Sequence, residues 1–149
     1  MTEVLFYHLE QRPLESVLPE LLQRSLERGW RAVVQVGSDE RLEGLNAHLW
    51  SFDDASFLPH GSAADGHAEA QPIFLTTGDD NPNGANVRFL VDGAEASGFD
   101  GYDRIVFLFD ATDSEALKRA REAWSAARAG GVDATYWRQD ENGRWAKQG

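Results

Sequence analysis

The sequence predicts an α/β protein: a single three-layer domain with a mixed, mostly parallel sheet flanked by about three helices. Three observations predict it. Short apolar runs rich in β-formers alternate with stretches of helical periodicity from residue 3 onward. The chain opens strand, helix, strand, helix, and two such units imply parallel neighbours joined by helical crossovers. At 149 residues, with no internal repeat and no linker-like boundary, 1–149 reads as one domain with its own core.

The elements follow in order. Residues 3–9 are a buried strand. Pro13 suits the first turn of a helix in which Leu14, Val17, Leu18, Leu21, Leu22 and Ser25 follow at helical spacing. Gly29 ends that helix, and Pro19 inside it predicts a kink or a late start. Trp30 to Val36 is a second strand. Ser38 or Asp39 caps the next helix, which places Leu42, Leu45 and Leu49 together. Gly61 to Gln71 is small and polar, the best candidate for a mobile loop. Pro72–Thr76 and Asn86–Val91 are strands separated by dense turn chemistry, which predicts an antiparallel pair. Arg104–Asp110 is the most apolar strand and is predicted to be central. Asp113 or Ser114 caps a last helix to about Ala129, closed by Gly130-Gly131. Val132–Trp137 is a final strand, Asp140 to Gly143 turns, and Arg144-Trp145-Ala146 extends the sheet.

Composition narrows the function. Hydrophobic residues at 42% and charged residues at 26% fit a soluble globular protein. No apolar run reaches membrane-spanning length and no signal peptide opens the chain, so no membrane partner is expected. The absence of cysteine excludes disulfides, thiol catalysis and thiolate metal sites, and fits a cytoplasmic address. A net charge of -11 argues against gripping nucleic acid with the whole surface, so an anionic partner needs a local basic island.

The last helix supplies such an island. Ala116, Ala120, Ala123 and Ala127 fall on one face, where small side chains let a helix lie close on a sheet. Roughly 100° round the axis lies Leu117, Arg121, Trp124 and Arg128, flanked by Lys118. Between Ala116 and Arg128, Lys118, Arg119, Arg121 and Arg128 stand against Glu122 alone, a net +3. That stripe suits a short peptide with an apolar end and acidic neighbours. The bland alternative is that the cations favour the helix macrodipole and their stems shield an apolar seam.

A second feature is the stretch His48 to Gly61. It leaves the predicted helix yet keeps Trp50, Phe52, Phe57 and Leu58, followed by Pro59. Either these side chains fold back onto the core or they form a patch for a partner.

Motifs for chemistry are missing. The first strand is followed by Gln11-Arg12-Pro13, with neither phosphate-binding glycine pattern, and there is no nucleophile elbow. His8, His48, His60 and His67 lack metal-site spacing, and His60 and His67 read as surface loop residues. Asp53-Asp54 and Asp79-Asp80 sit in turn contexts, and the Asn81–Asn86 run is turn chemistry. No catalytic residue, cofactor or metal is expected.

Several segments together resemble the chi subunit of the bacterial DNA polymerase III holoenzyme. They are Phe6-Tyr7, Leu49-Trp50 followed by Phe57-Leu58-Pro59-His60-Gly61, Gln71-Pro72-Ile73, and Pro82-Asn83-Gly84-Ala85. Arg121-Glu122-Ala123-Trp124 and Thr135-Tyr136-Trp137 complete the set, over nearly the whole chain. The Leu-Trp and Phe-Leu-Pro-His-Gly pair is the most specific.

The resemblance implies a nucleotide-binding-like fold without the phosphate loop, and a non-catalytic adaptor of the clamp loader. The adaptor grips the acidic, Phe-ended C-terminal tail of single-stranded DNA-binding protein, so DNA is reached only indirectly. Its second partner is the psi subunit or a repair-type helicase. The implied tail site falls on Lys118, Arg121, Trp124 and Arg128, with Lys118 one position out of register with the family's lysine. The implied second interface falls on Trp50, Phe57, Leu58 and Pro59. Two other readings compete: a small α/β enzyme acting on a phosphorylated substrate at the C-terminal strand ends, and a homo-oligomer built through exposed Trp and Phe residues.

Overall fold

A computed structural model describes residues 3–9, 14–51, 60–62, 68–78, 80–91, 94, 101–110, 113–131, 133–139, 141–142 and 144–147, with backbone alone at 50–51. Strand β1 (Glu3–Leu9) leads to helix α1 (Leu14–Glu27), β2 (Ala32–Gln35) and helix α2 (Asp39–Ser51). Then come β3 (His60–Ser62), a 3₁₀ turn at Ala68–Ala70, β4 (Ile73–Thr76), β5 (Val87–Leu90) and β6 (Arg104–Asp110). Helix α3 (Ser114–Ala129), β7 (Asp133–Gln139) and β8 (Trp145–Lys147) close the chain.

The described strands form one eight-stranded sheet in the order β3-β4-β2-β5-β6-β1-β7-β8. Every pairing is parallel except β7 with β8. Alternation along β1 sends Leu5 and Leu9 to a core shared with Leu18 and Leu22 of α1 and Leu45 and Leu49 of α2. Val4 and Phe6 point the other way, into a core with Ile105, Phe107 and the alanines of α3. Two helices thus cover one face and one the other, as the strand–helix alternation predicts. β6 lies fifth of the eight strands, an interior position that accounts for its apolar run.

The expected antiparallel pairing of the two middle strands is wrong. β4 and β5 do not touch; each lies parallel to β2, on opposite sides, with Ala32 in register with both Ile73 and Val87. The turn-rich segment between them is a clamp, not a hairpin. Asn83, 3% exposed, donates from Nδ2 to Ala32 O at 3.1 Å and to Gln71 O at 2.8 Å, joining the entries to β2 and β4. Asn81 Oδ1 accepts from Ala85 N at 2.8 Å, and Asn86 Oδ1 accepts from Arg31 N at 3.0 Å. A run of asparagines signals that backbone groups are being matched, but not to which strand.

The expected loop from Gly61 and the surface assignment of His60 are both corrected by β3. His60, Gly61 and Ser62 are buried beside β4, and His60 Nε2 lies 3.1 Å from Asn46 O of α2. A Cβ on Gly61 would come within 2.8 Å of the Gln71 side chain, so glycine is required by close approach. Three residues without an apolar pattern give periodicity nothing to register.

Pro19 does not delay α1, which is already helical at Leu14 and continues past it to Glu27. A proline there removes the N–H that would bond to Glu15 O. His48 Nε2 fills the gap, 2.7 Å from that carbonyl, and Arg41 of α2 donates from Nη2 to Glu15 Oε1 at 3.0 Å. Because a carbonyl only accepts, the His48 proton sits on Nε2.

Candidate functional site

Helix α3 is built by local signals. Asp113 caps it: Oδ1 accepts from Glu115 N at 3.1 Å and from Ala116 N at 3.2 Å. At the other end Gly130 N donates to Ala126 O, and Gly131 takes a φ of +71°, open only to residues that tolerate the left-handed region. Ala116, Ala120 and Ala127 are buried, and Ala123 packs part-buried beside them. With no bulk on that face, the helix lies low over Phe6 and Phe107, whose rings stack with centroids 4.7 Å apart.

The neighbouring stripe is left outward. Lys118, Arg121 and Arg128 are exposed, while Leu117 and Trp124 are half-buried. Trp124 meets Phe6 edge to face at 5.4 Å and Tyr136 of β7 at 5.8 Å. The Arg128 guanidinium lies over the Trp124 ring, 5.3 Å from its centroid. The indole is therefore anchored by two rings and overlaid by a cation. A half-buried aromatic beside exposed guanidinium groups offers an apolar surface and forked donors for carboxylates together.

Sequence reasoning missed what lies beside the stripe. Tyr136 extends it across the sheet and shares a 2.6 Å hydrogen bond with Nδ1 of buried His8. Phe109 packs on both, 5.1 Å from the His8 ring and 5.9 Å from the Tyr136 ring. Strand alternation puts exposed Arg138 on the same side of β7 as Tyr136, adding a cation at the edge of the patch. The period-2 pattern of β7 was the available signal, but it shows no distance to α3.

Of the second predicted patch, Trp50 is in the last turn of α2, where its backbone alone is described. Phe57, Leu58 and Pro59 lie outside the described residues, as do Phe52 and the Asp53-Asp54 pair. Of the other carboxylate pair, Asp79 lies outside the described residues, and Asp80 accepts from Thr76 Oγ1 at 2.5 Å, a turn contact. Among the described residues no group of three or more His, Asp or Glu side chains could hold a metal, and no helix is long and apolar enough to cross a membrane.

Comparison with known proteins bears on this arrangement. The family described as DNA polymerase III chi subunit, HolC, matches residues 1–135. A curated protein of Rickettsia prowazekii (strain Madrid E), named probable DNA polymerase III subunit chi, is 28% identical over 91 residues. That alignment covers 61% of this chain and 55% of the relative, so the chain spans little more than half the relative's length.

Proposed function

The chain belongs to the DNA polymerase III chi subunit family, and from that premise we propose that it is a non-catalytic adaptor of the clamp-loader complex. In this reading it holds the acidic, Phe-ended tail of single-stranded DNA-binding protein on the outward stripe of α3. The observation that carries the reading is the exposed Arg121 beside the half-buried Trp124, with Arg128 over the ring. The apolar end of the tail would lie against Trp124, and Arg121, Arg128 and Lys118 would pair with its carboxylates. The local charge explains how a chain of net -11 could attract an acidic peptide at all. The second partner, psi or a helicase, would dock on Trp50, Phe57, Leu58 and Pro59.

Titration with a Phe-ended acidic peptide tests the first half. Binding is expected at micromolar strength, weakening as salt rises. Arg121→Ala should weaken it about tenfold, about 1.4 kcal/mol, with the thermal midpoint unchanged because the side chain is exposed. No binding at low salt sinks the tail assignment. Pull-downs with the Arg121 and Phe57 variants test the second half: each should lose a different partner.

A further inference from the structure

On the opposite face of the sheet from the α3 stripe, a cleft of about 340 Å³ opens between the end of α1 and the sheet. Arg24 of α1, Arg28 just past its end and Arg104 of β6 line it, over a floor that includes Tyr7, Leu21 and Phe89. A second hollow of about 340 Å³ shares Arg28 and Arg104 and continues outward past Trp30. Both lie where β1 and β6 begin, at Glu3 and Arg104. That is the opposite end of the sheet from the carboxyl edge at which open α/β sheets bind ligands, so the cleft is not a vestige of a nucleotide site.

Two of the arginines are held against one ring. The Arg28 guanidinium lies 4.0 Å from the centroid of the Trp30 ring and that of Arg104 lies 5.1 Å from it. A guanidinium stacked on an aromatic face keeps its in-plane N–H donors for forked bonds. Arg104 Nε is 2.8 Å from Glu3 Oε1, yet its N–H is not aimed at that oxygen, which leaves a buried donor unmatched. Inside the inner cleft the arginines outnumber the acids, while Glu3 and Asp103 stand at the outer hollow. Glu27 alone faces three arginines in the inner cleft, and on the outer rim Asp103 Oδ2 accepts from Asn86 Nδ2 at 3.1 Å. Burial raises the Tyr7 hydroxyl above its usual range, with Arg104 and Arg24 pulling the other way, so it stays a neutral donor beside the cations.

We infer that this cleft binds a small phosphomonoester of mononucleotide size, with its phosphate on Arg24, Arg28 and Arg104 and its apolar body against Tyr7 and Leu21. Three guanidinium groups offer more donors than the two oxygens of one carboxylate can use well, whereas a phosphate presents three terminal oxygens. The volume falls at the small end of the range for ligand sites, about 300–1,000 Å³.

The test is a heteronuclear NMR titration of the full chain with thymidine 5′-monophosphate, inorganic phosphate and thymidine in separate arms. The monophosphate should shift the Tyr7 and Ser25 amides and the Trp30 indole, with inorganic phosphate at least tenfold weaker and thymidine inert. Arg24→Gln and Arg28→Gln, both at exposed positions, should each weaken the monophosphate about tenfold while leaving binding of the acidic tail peptide unchanged. No shift at those resonances at millimolar monophosphate overturns the inference. So do shifts confined to Trp124, thymidine binding as well as the monophosphate, or inorganic phosphate binding equally well.

Discussion

α1 and α3 lie on opposite faces of one sheet, and each has an arginine over a tryptophan, Arg28 just past the end of α1 and Arg128 within α3, yet they come there by different routes. α3 is self-sufficient. Its cap is the residue before it, its alanines pack it, and its Trp124 and Arg128 stand four positions apart on one surface. α1 is not. Its proline breaks its own ladder, a histidine from α2 completes it, and Trp30 beyond its end is met by Arg28, the residue after the helix, and by Arg104 from β6. A site built within one helix has its geometry fixed by the helical repeat. A site built between segments has it fixed by how the segments pack.

The largest test of that contrast is Trp124→Ala. The ring closes over Phe6 and Tyr136, so its loss should destabilise the fold by about 2 kcal/mol, less than the cost for a fully buried ring. Under the tail-binding reading, peptide affinity should fall by at least tenfold. Trp124→Phe, which keeps an apolar ring, should restore most of the stability and part of the binding. Melting and peptide titration on the two variants measure both. Unchanged binding in the alanine variant would make Trp124 a packing residue alone.

His48→Ala is the next largest. It strips the Glu15 carbonyl of its donor and should cost about 1–3 kcal/mol by denaturant melting. The decisive comparison is a cycle with Pro19→Ala, which restores an N–H to that carbonyl. The proline change should be more favourable in the His48→Ala background than in the parent by about 1 kcal/mol. Additive effects would mean that the histidine does not complete the helix. No residue outside α3 should show the same kind of coupling to its ladder.

The two helices also mark how far the sequence could be read. Residues Leu117, Arg121, Trp124 and Arg128 announce themselves because helix period and sequence spacing are locked together. The cleft under α1 could not be found this way. Tyr7, Arg24, Trp30 and Arg104 are scattered over 97 positions, Tyr7 to Arg104, and only the order β2-β5-β6-β1 in the sheet brings them near. The same limit explains the mistaken middle strands. Apolar runs 73–76 and 87–90 reveal two strands correctly, but a parallel place on either side of β2 leaves no mark in either run. Asn83 looked like turn chemistry because its side chain does serve backbone groups; that those groups belong to Ala32 and Gln71 depends on tertiary placement. At Pro19 the local rule exposes a carbonyl at Glu15, and that a ring nitrogen 29 positions along the chain from Pro19, on His48, meets it depends on how α2 packs.

The smallest effect separates the two ties that α2 makes to α1. Beside the His48 bond, Arg41 donates to the Glu15 carboxylate, and that hydrogen bond is the main reason the carboxyl sits below its usual range. Because the folded-state value is depressed, the ion pair contributes fully above the ordinary carboxylate range. The contribution declines as pH falls through that range and is gone below the folded value. Both partners are well exposed, Arg41 at 45% and Glu15 at 39%, so the pair is worth at most about 0.2–1 kcal/mol at neutral pH. Arg41→Ala should therefore melt slightly below the parent at pH 7, and the two curves should converge in acid. His48→Ala should keep its deficit where the Arg41→Ala difference has vanished, because a proton on the Glu15 carboxylate leaves the main-chain carbonyl needing its donor. If the Arg41→Ala deficit also persisted in acid, its side chain would be acting through packing on α1 and not through charge.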